Sequence, residues 1–195
     1  MPVGRPRAFD TDRALDRALR VFWQKGYEGT SLSDLTRAMD INRPSLYAAF
    51  GNKAALFRKV LDRYAEGPAS YVREALNEPT ARAVVERLLR GAARLQTDPR
   101  NPRGCLIVQG ALSCSKGADS ARRGLSAHRE AGEAEIRARL TRAKADGDLP
   151  PDSSPAALAR YVFTVMRGMA VEAAGGASRK ELLRVVQMAL RAWPG

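Results

Sequence analysis

Residues 26–53 read GYEGTSLSDLTRAMDINRPSLYAAFGNK, and the caps and breaks in this stretch describe two short helices joined by a tight turn. Gly26 and Gly29 end the helix that runs up to Lys25, because glycine accepts the strained backbone that follows a helix end. Ser31 is a good N-cap, and Asp34, three residues on, completes an S-x-x-D capping pattern. Leu32, Leu35 and Met39 then share one face of a helix over roughly 31–38. Asn42 caps the next helix, and Pro44 fits its first turn, where a missing N–H costs nothing. Leu46 and Phe50 lie four apart and face inward, which leaves Arg43, Ser45, Tyr47 and Ala48 on the outer side. A second helix with a basic N-terminus and small outward residues suits a DNA major groove about 12 Å wide. Spacing alone is also met by a plain helical hairpin in an α-domain.

Outward from this stretch, the chain before it supplies a helix and an arm. The helix runs from Asp10 or Thr11 to Lys25, with Ala14, Leu15, Ala18, Leu19 and Phe22 as its apolar stripe. Ahead of it, Gly4-Arg5-Pro6-Arg7 is extended and cationic. Such an arm suits a narrow minor groove that attracts arginine, and without DNA it reads equally as a disordered terminus that orders on binding. After the stretch, a fourth helix begins near Asn52 or Lys53 and stops near Gly67-Pro68, with Leu56, Val60 and Leu61 inward. This helix joins the motif to the rest of the chain and is the natural lever for passing a signal.

These residues resemble the DNA-binding domain of TetR-family bacterial repressors. The matching features are Phe9 to Trp23 (FDTDRALDRALRVFW), Gly26-Tyr27, Thr30-Ser31, Pro44-Ser45-Leu46-Tyr47, and Phe50-Gly51-Asn52-Lys53-Ala54-Ala55-Leu56. The resemblance is close over residues 1 to about 65 and weaker to the C-terminus. One departure is Asp40, where the family usually has glycine in the turn, although aspartate tolerates left-handed backbone better than most residues. The resemblance implies a repressor that dimerises through its last two long helices and carries an inducer pocket in its C-terminal part. On this reading Arg5 and Arg7 touch the minor groove, and Ser33, Arg43, Pro44 and Tyr47 face base edges or nearby backbone. Ser31, Ser45, Tyr47 and Lys53 bind phosphates, with Lys53 and the start of the fourth helix offering a cation and unpaired N–H groups.

Composition agrees with a polyanion partner. The 195 residues carry a net charge of +12 and are 45% hydrophobic. The basic excess is spread along the chain: residues 1–65 hold 12 lysines and arginines against 7 acids, and the remainder 21 against 14. Much of it is therefore arginine on solvated helix faces, weak support for a second nucleic-acid surface. The apolar segment Ala156–Ala174 is interrupted by Arg160, Arg167 and Glu172, so a membrane span of about 20 apolar residues is not expected. No secretory segment is recognisable and two cysteines do not make a disulfide scaffold, which points to a cytoplasmic protein.

Beyond Pro68 the chain becomes a series of Ala/Leu/Arg helices broken by proline and glycine, at roughly 69–77, 80–96, 104–115, 119–146, 155–174 and 178–192. The expected fold is all-α: an N-terminal three-helix helix-turn-helix domain over 1–65 and a C-terminal helical bundle for ligand binding and dimerisation over 66–195. The last two helices are apolar on more than one narrow stripe, so each packs on two sides; a fully intramolecular core also meets this pattern, and the resemblance implies that the second side meets a second subunit. One short recognition helix reads few bases, and a two-fold pair doubles the site. Leu88, Leu89, Cys105, Leu106, Gln109, Tyr161, Val165 and Met169 are candidate lining residues of an effector pocket, although Met and Tyr at helical spacing equally suit a core. Cys105 follows Gly104 at a helix start, where the helix dipole raises thiol reactivity, with Arg100 and Arg103 near in sequence. Cys114 lies nine residues on, on the opposite face of one helix. A buried thiol is equally a small hydrophobe. There is no Ser/His/Asp set, phosphate loop or metal-ligand cluster, so neither enzyme activity, a metal nor a cofactor is expected. The expected function is a homodimeric, ligand-responsive DNA-binding repressor. A thiol- or metal-responsive regulator acting through Cys105, a helical ligand-binding protein without DNA function and a non-specific DNA-coating protein are the alternatives.

Overall fold

Side-chain caps start most of the helices and account for where they begin. In the computed structural model, which describes residues 9–113 and 118–194, Asp10 caps α1 (Thr11–Lys25) by accepting from the N–H groups of Asp12 and Arg13 at 3.0 and 3.1 Å. Ser31 and Asp34 form a complete capping box on α2 (Leu32–Met39). The Asn42 side chain accepts from Ser45 N at 2.8 Å to start α3 (Arg43–Phe50), and Asn52 accepts from Ala55 N at 2.9 Å to start α4 (Lys53–Glu66). Between α2 and α3, Asp40 sits in the left-handed region at φ 59° and ψ 45°, the conformation its side chain tolerates and most others resist.

The C-terminal part adds α5 (Tyr71–Ala75), α6 (Ala81–Gln96), α7 (Leu106–Ser113), α8 (Asp119–Ala145), α9 (Pro155–Ala174) and α10 (Arg179–Arg191). Thr80, Ser154 and Ser178 cap α6, α9 and α10. Two helices are shorter than the sequence suggests. The helix expected over 69–77 is reduced to Tyr71–Ala75, and Ser70 makes no capping bond there. The helix expected from 104 begins at Leu106, because Gly104 turns the chain at φ 84° and its N–H is taken by Gln96 O at 3.0 Å. A Cβ at Gly104 would stand 3.0 Å from Ala170 O and 2.9 Å from Gln109 Nε2, so backbone geometry and space both select glycine. Arg5, Arg7 and Cys114 lie outside the described residues.

Two apolar clusters hold the molecule together. The first is built from α1–α4, around Phe22, Trp23, Leu35, Leu46, Phe57 and Tyr64, and it also takes in Leu106, Ala118, Ala121 and Leu125 from α7 and the start of α8. The second gathers Val84, Leu88, Leu89, Ile136, Leu140, Val162, Met169 and Val186 from α6, the second half of α8, α9 and α10. The N-terminal helices therefore pack on chain far beyond residue 65, and α8 runs through both clusters.

Candidate nucleic-acid interface and cavity

The capping box on α2 and the cap on α3 fix which side chains the helix-turn-helix presents outward. Ser33, Arg43, Pro44 and Tyr47 are all exposed, Tyr47 at 47%. Arg43 Nη2 donates to Ser33 Oγ at 3.2 Å, so α2 and α3 bring two of the expected DNA contacts together. Ser45 is half-buried and its backbone N–H is held by Asn42. Ser31 is more committed than its exposure suggests: its hydroxyl donates to Asp34 Oδ2 at 2.8 Å and accepts from Asp34 N at 3.0 Å. Lys25 Nζ donates to Asp34 Oδ1 at 2.7 Å, and this contact, followed by the Ser31 backbone and hydroxyl, holds the Asp34 carboxyl well below the usual carboxylate range. The box is thus a fixed ionised group at the α2 N-terminus. At the start of α4, the Lys53 ammonium lies 4.4 Å from the centre of the Tyr27 ring, a cation–π contact that orients it.

A cavity of about 190 Å³ opens where the two apolar clusters meet. Tyr64 of α4, Leu95 of α6 and Cys105 with Ile107 wall it from the first cluster. Tyr71 and Val72 of α5 and Phe163 and Met166 of α9 wall it from the second. The helix α6 can approach so closely because residue 91 is glycine: a Cβ there would stand 2.2 Å from the Tyr71 ring. Tyr64 is buried with its ring perpendicular to that of Trp23, centroids 4.9 Å apart, and its hydroxyl donates to Cys105 Sγ at 3.3 Å. Burial first, then the Cys105 sulfur, pushes this phenol well above its ordinary pKa, so it remains a donor.

Of the eight residues expected to line a pocket, Cys105 lines this cavity and the other seven are placed elsewhere. Leu88, Leu89 and Met169 are buried in the second cluster and Leu106 in the first. Val165 packs against the second cluster. Tyr161 is 36% exposed on α9, and Gln109 turns its Nε2 to Arg103 O at 3.1 Å. Helical periodicity separates inward from outward positions, but it does not tell which inward faces fail to meet. The arginines near Cys105 in sequence are engaged away from it: Arg100 pairs with Asp98 at 2.7 Å, and Arg103 donates to the carbonyls of Ala173 and Ala177 at the end of α9. Cys105 is half-buried directly before the first residue of α7, with its carbonyl accepting from Gln109 N at 3.0 Å.

Several residues at the cavity carry no strong sequence signal. Gln96 is buried and donates from Nε2 to Met166 O at 3.2 Å. His128, the single histidine, lines the wall and places Nε2 3.2 Å from Asp62 Oδ1 of α4. Arg129 and Arg167 come from α8 and α9. The polar residue at position 96 gives a clue in retrospect, since it breaks the apolar face of α6 at a position that tertiary packing covers.

On α9 and α10 the outward faces keep large apolar groups. Tyr161 is 36%, Val171 48%, Val185 43% and Met188 63% exposed, and a Cβ added to Gly168 would meet nothing within 4 Å. Among the described residues, no helix is long and apolar enough to cross a membrane.

Comparison with known proteins accounts for both halves. The model of the tetR family of bacterial regulatory proteins matches residues 14–60, and that of the tetracyclin repressor-like C-terminal domain matches residues 79–189. The HTH-type transcriptional repressor ComR of Escherichia coli K12 is 34% identical over 193 residues, which cover 98% of this chain and 92% of ComR. The repressor BdcR of the same organism is 38% identical over 109 residues, 55% of each chain. A cysteine-substituted form of the TetR-family regulator CifR, solved with 26 bp of double-stranded operator DNA, superposes with a TM-score of 0.93 at 47% identity, covering 98% of this chain and all of that one. The helix-turn-helix, the all-helical body behind it and these likenesses agree: the chain belongs to the TetR family and is a transcriptional regulator, not an enzyme.

Proposed function

We propose that the protein is a cytoplasmic, homodimeric repressor that holds a pseudo-palindromic operator and releases it when a small molecule occupies the cavity. In this reading residues 1–65 read DNA and 66–195 bind the effector and dimerise, with α7 and the start of α8, which join the N-terminal cluster, as the shared wall. The observation that carries the reading is the double role of α4. Its first residue, Lys53, stands beside the helix-turn-helix, and its Tyr64 forms part of the cavity wall, about 16 Å further along at 1.5 Å per residue. A ligand that displaces Tyr64 acts on the same rigid element that carries Lys53, which is the coupling between two sites that release requires. CifR bound to operator DNA lends support through its likeness over the whole chain.

On the DNA side, Arg43, with Ser33, Pro44 and Tyr47, faces base edges, while Ser31, Ser45, Tyr47 and Lys53 approach phosphates and Arg5 and Arg7 enter the minor groove. Lys53→Ala weakens binding to operator and random DNA alike and flattens the salt slope, because a phosphate contact carries little sequence information. Its melting temperature is measured alongside, since the substitution also uncovers Tyr27. Arg43→Ala costs about 1–3 kcal/mol on the operator and relaxes sequence choice. Equal effects of the two substitutions on the ratio of specific to random affinity would overturn these roles.

Dimerisation is assigned to the exposed apolar face of α9 and α10. Two such helices from each subunit form a four-helix contact that covers Tyr161, Val171, Val185 and Met188, large apolar groups that a lone chain would leave in water. The wild type sediments as a dimer at micromolar concentration, and Val185→Asp with Met188→Asp converts it to a monomer that has lost operator affinity. A wild-type monomer with full operator affinity would contradict the assignment.

A thiol-responsive reading is kept for one reason: Cys105 is part of the cavity wall and in hydrogen-bond contact with Tyr64. Alkylation of the Cys105 sulfur by an electrophile, with loss of the thiol proton, adds bulk beside the Tyr64 hydroxyl, and capture of a thiophilic metal such as copper by the thiolate, again with loss of the proton, engages the same sulfur; either displaces Tyr64 and so acts on α4. Operator binding of wild type and Cys105→Ser is compared before and after treatment with a thiol-alkylating electrophile, and separately with copper. Release in the wild type and none in the variant supports this reading, and identical responses leave Cys105 as packing.

A further inference from the structure

The cavity wall is not uniformly apolar, and its polar atoms are incompletely used. Gln96 is 4% exposed, and its Oε1 is buried without a hydrogen-bond partner, although its Nε2 is satisfied by Met166 O. Arg167 Nε is likewise buried without a partner. Orphaned polar atoms of this kind are uncommon and cost free energy, so two of them on residues of one cavity wall need an explanation. Glu133 is shared: its Oε1 is bound to Arg160 Nε at 2.7 Å, and its Oε2 forms a longer ion pair with Arg167 Nη2 at 3.7 Å that leaves Arg167 Nε without a hydrogen bond. Arg129 lines the same wall. Burial pulls the Arg167 guanidinium below its ordinary pKa; Glu133 opposes this, and the positive Arg129 and Arg160 add to it. Among the charged residues of the wall, Glu135 is the one acid against Arg73, Arg129 and Arg167, and both Glu135 and Arg73 are solvent-exposed. The lining residues therefore carry an excess of positive charge, offset in part by the Glu133–Arg167 ion pair, and an acceptor lacking its donor, beside Phe163, whose ring centre is 4.9 Å from the Arg167 guanidinium carbon.

We propose that the effector is a compact organic acid bearing a hydroxyl group. Its carboxylate accepts from Arg167, with Arg129 close by, its hydroxyl donates to Gln96 Oε1, and its apolar body lies against Tyr71, Phe163 and Met166. The volume of about 190 Å³ favours a compact molecule over the drug-sized ligands of pockets of roughly 300–1,000 Å³. A carboxylate satisfies the guanidinium in a way that a neutral ligand does not, because charge-assisted bonds to arginine are about twice as strong as neutral ones. A hydroxyl is needed as well, because a carboxylate has no proton to give the glutamine oxygen. This inference rests on the reading of the cavity as the effector site.

The test is calorimetric titration of the full chain with lactate, mandelate and phenyllactate, each beside its amide and its deoxy acid. At least one hydroxy acid binds more tightly than about 1 mM, its amide binds at least about tenfold more weakly, and the deoxy acid falls between them. Arg167→Gln removes the preference for acid over amide, and Gln96→Leu removes the preference for hydroxy acid over deoxy acid. Should Arg167→Gln fail to fold, Arg129→Gln is used to read the same preference. Amides that bind as well as the acids, no binding by any of the three acids, or unchanged preferences in the variants would overturn the proposal. Operator binding is followed in parallel, which separates the two claims: an acid that binds at Arg167 but leaves the operator bound contradicts ligand-driven release, whereas a neutral compound that enters the cavity and releases the operator contradicts only the proposed effector chemistry.

Discussion

A buried phenol must keep a partner for its hydroxyl, and in this chain that requirement ties α4 to the segment that opens α7, at the edge of the first core where the second meets it. Tyr64 sits on α4, its ring against Trp23 of α1 and its hydroxyl on the sulfur of Cys105, just before α7. The hydrogen bond crosses from the helix that carries Lys53 to the segment that walls the cavity. Because Tyr64 is 1% exposed, water is poorly placed to replace the sulfur, and any displacement of Cys105 or of the ring costs a desolvated polar group. On the proposed function, a ligand in the cavity acts through this contact on α4 and, through Trp23, on α1. His128 adds a second link from the same wall to Asp62 of α4.

The rest of the architecture keeps this junction in place. Gly91 lets the Tyr71 ring lie on α6, and Gly104 bends the chain so that Cys105 reaches the wall while Arg103 ties the bend to the end of α9. Arg139 of α8 donates to the carbonyls of Leu76, Glu78 and Pro79, which holds the α5–α6 connection against the long helix. The helix α8 spans both clusters, so it is the second rigid element that joins the DNA-reading end to the bundle. The outer face of α9 and α10 carries the exposed apolar groups Tyr161, Val171, Val185 and Met188, and a two-fold contact there would set the separation of two recognition helices on one side of a duplex.

Helix positions were legible in the sequence because their determinants are local. Ser31, Asn42, Asn52, Thr80, Ser154 and Ser178 each cap the helix that follows, and Gly26 and Gly51 end helices at positive φ. The outward set on α3 was legible for the same reason: Leu46 and Phe50 are buried, and Arg43 and Tyr47 are exposed. The cavity was not, because it depends on contacts between residues far apart in sequence. Leu88, Leu89 and Met169 fit a pocket as well as a core on periodicity, and the structure buries them in the second cluster. Gln109 and Gln96 look alike in sequence, yet Gln109 bonds the nearby Arg103 carbonyl while Gln96 reaches Met166, and only Gln96 lines the cavity.

The central claim is that the state of the cavity and the state of the DNA-reading helices are one equilibrium. Val108 of α7 lines the cavity and stands apart from the helix-turn-helix, so Val108→Trp fills the space without touching a residue assigned to DNA. The decisive measurement is the operator-binding isotherm of this variant against wild type, with dimer formation and melting temperature recorded on the same samples. A folded, dimeric variant whose operator affinity is at least about tenfold lower, roughly 1.4 kcal/mol of coupling, is the predicted result. A folded, dimeric variant that binds the operator as tightly as wild type would contradict the account.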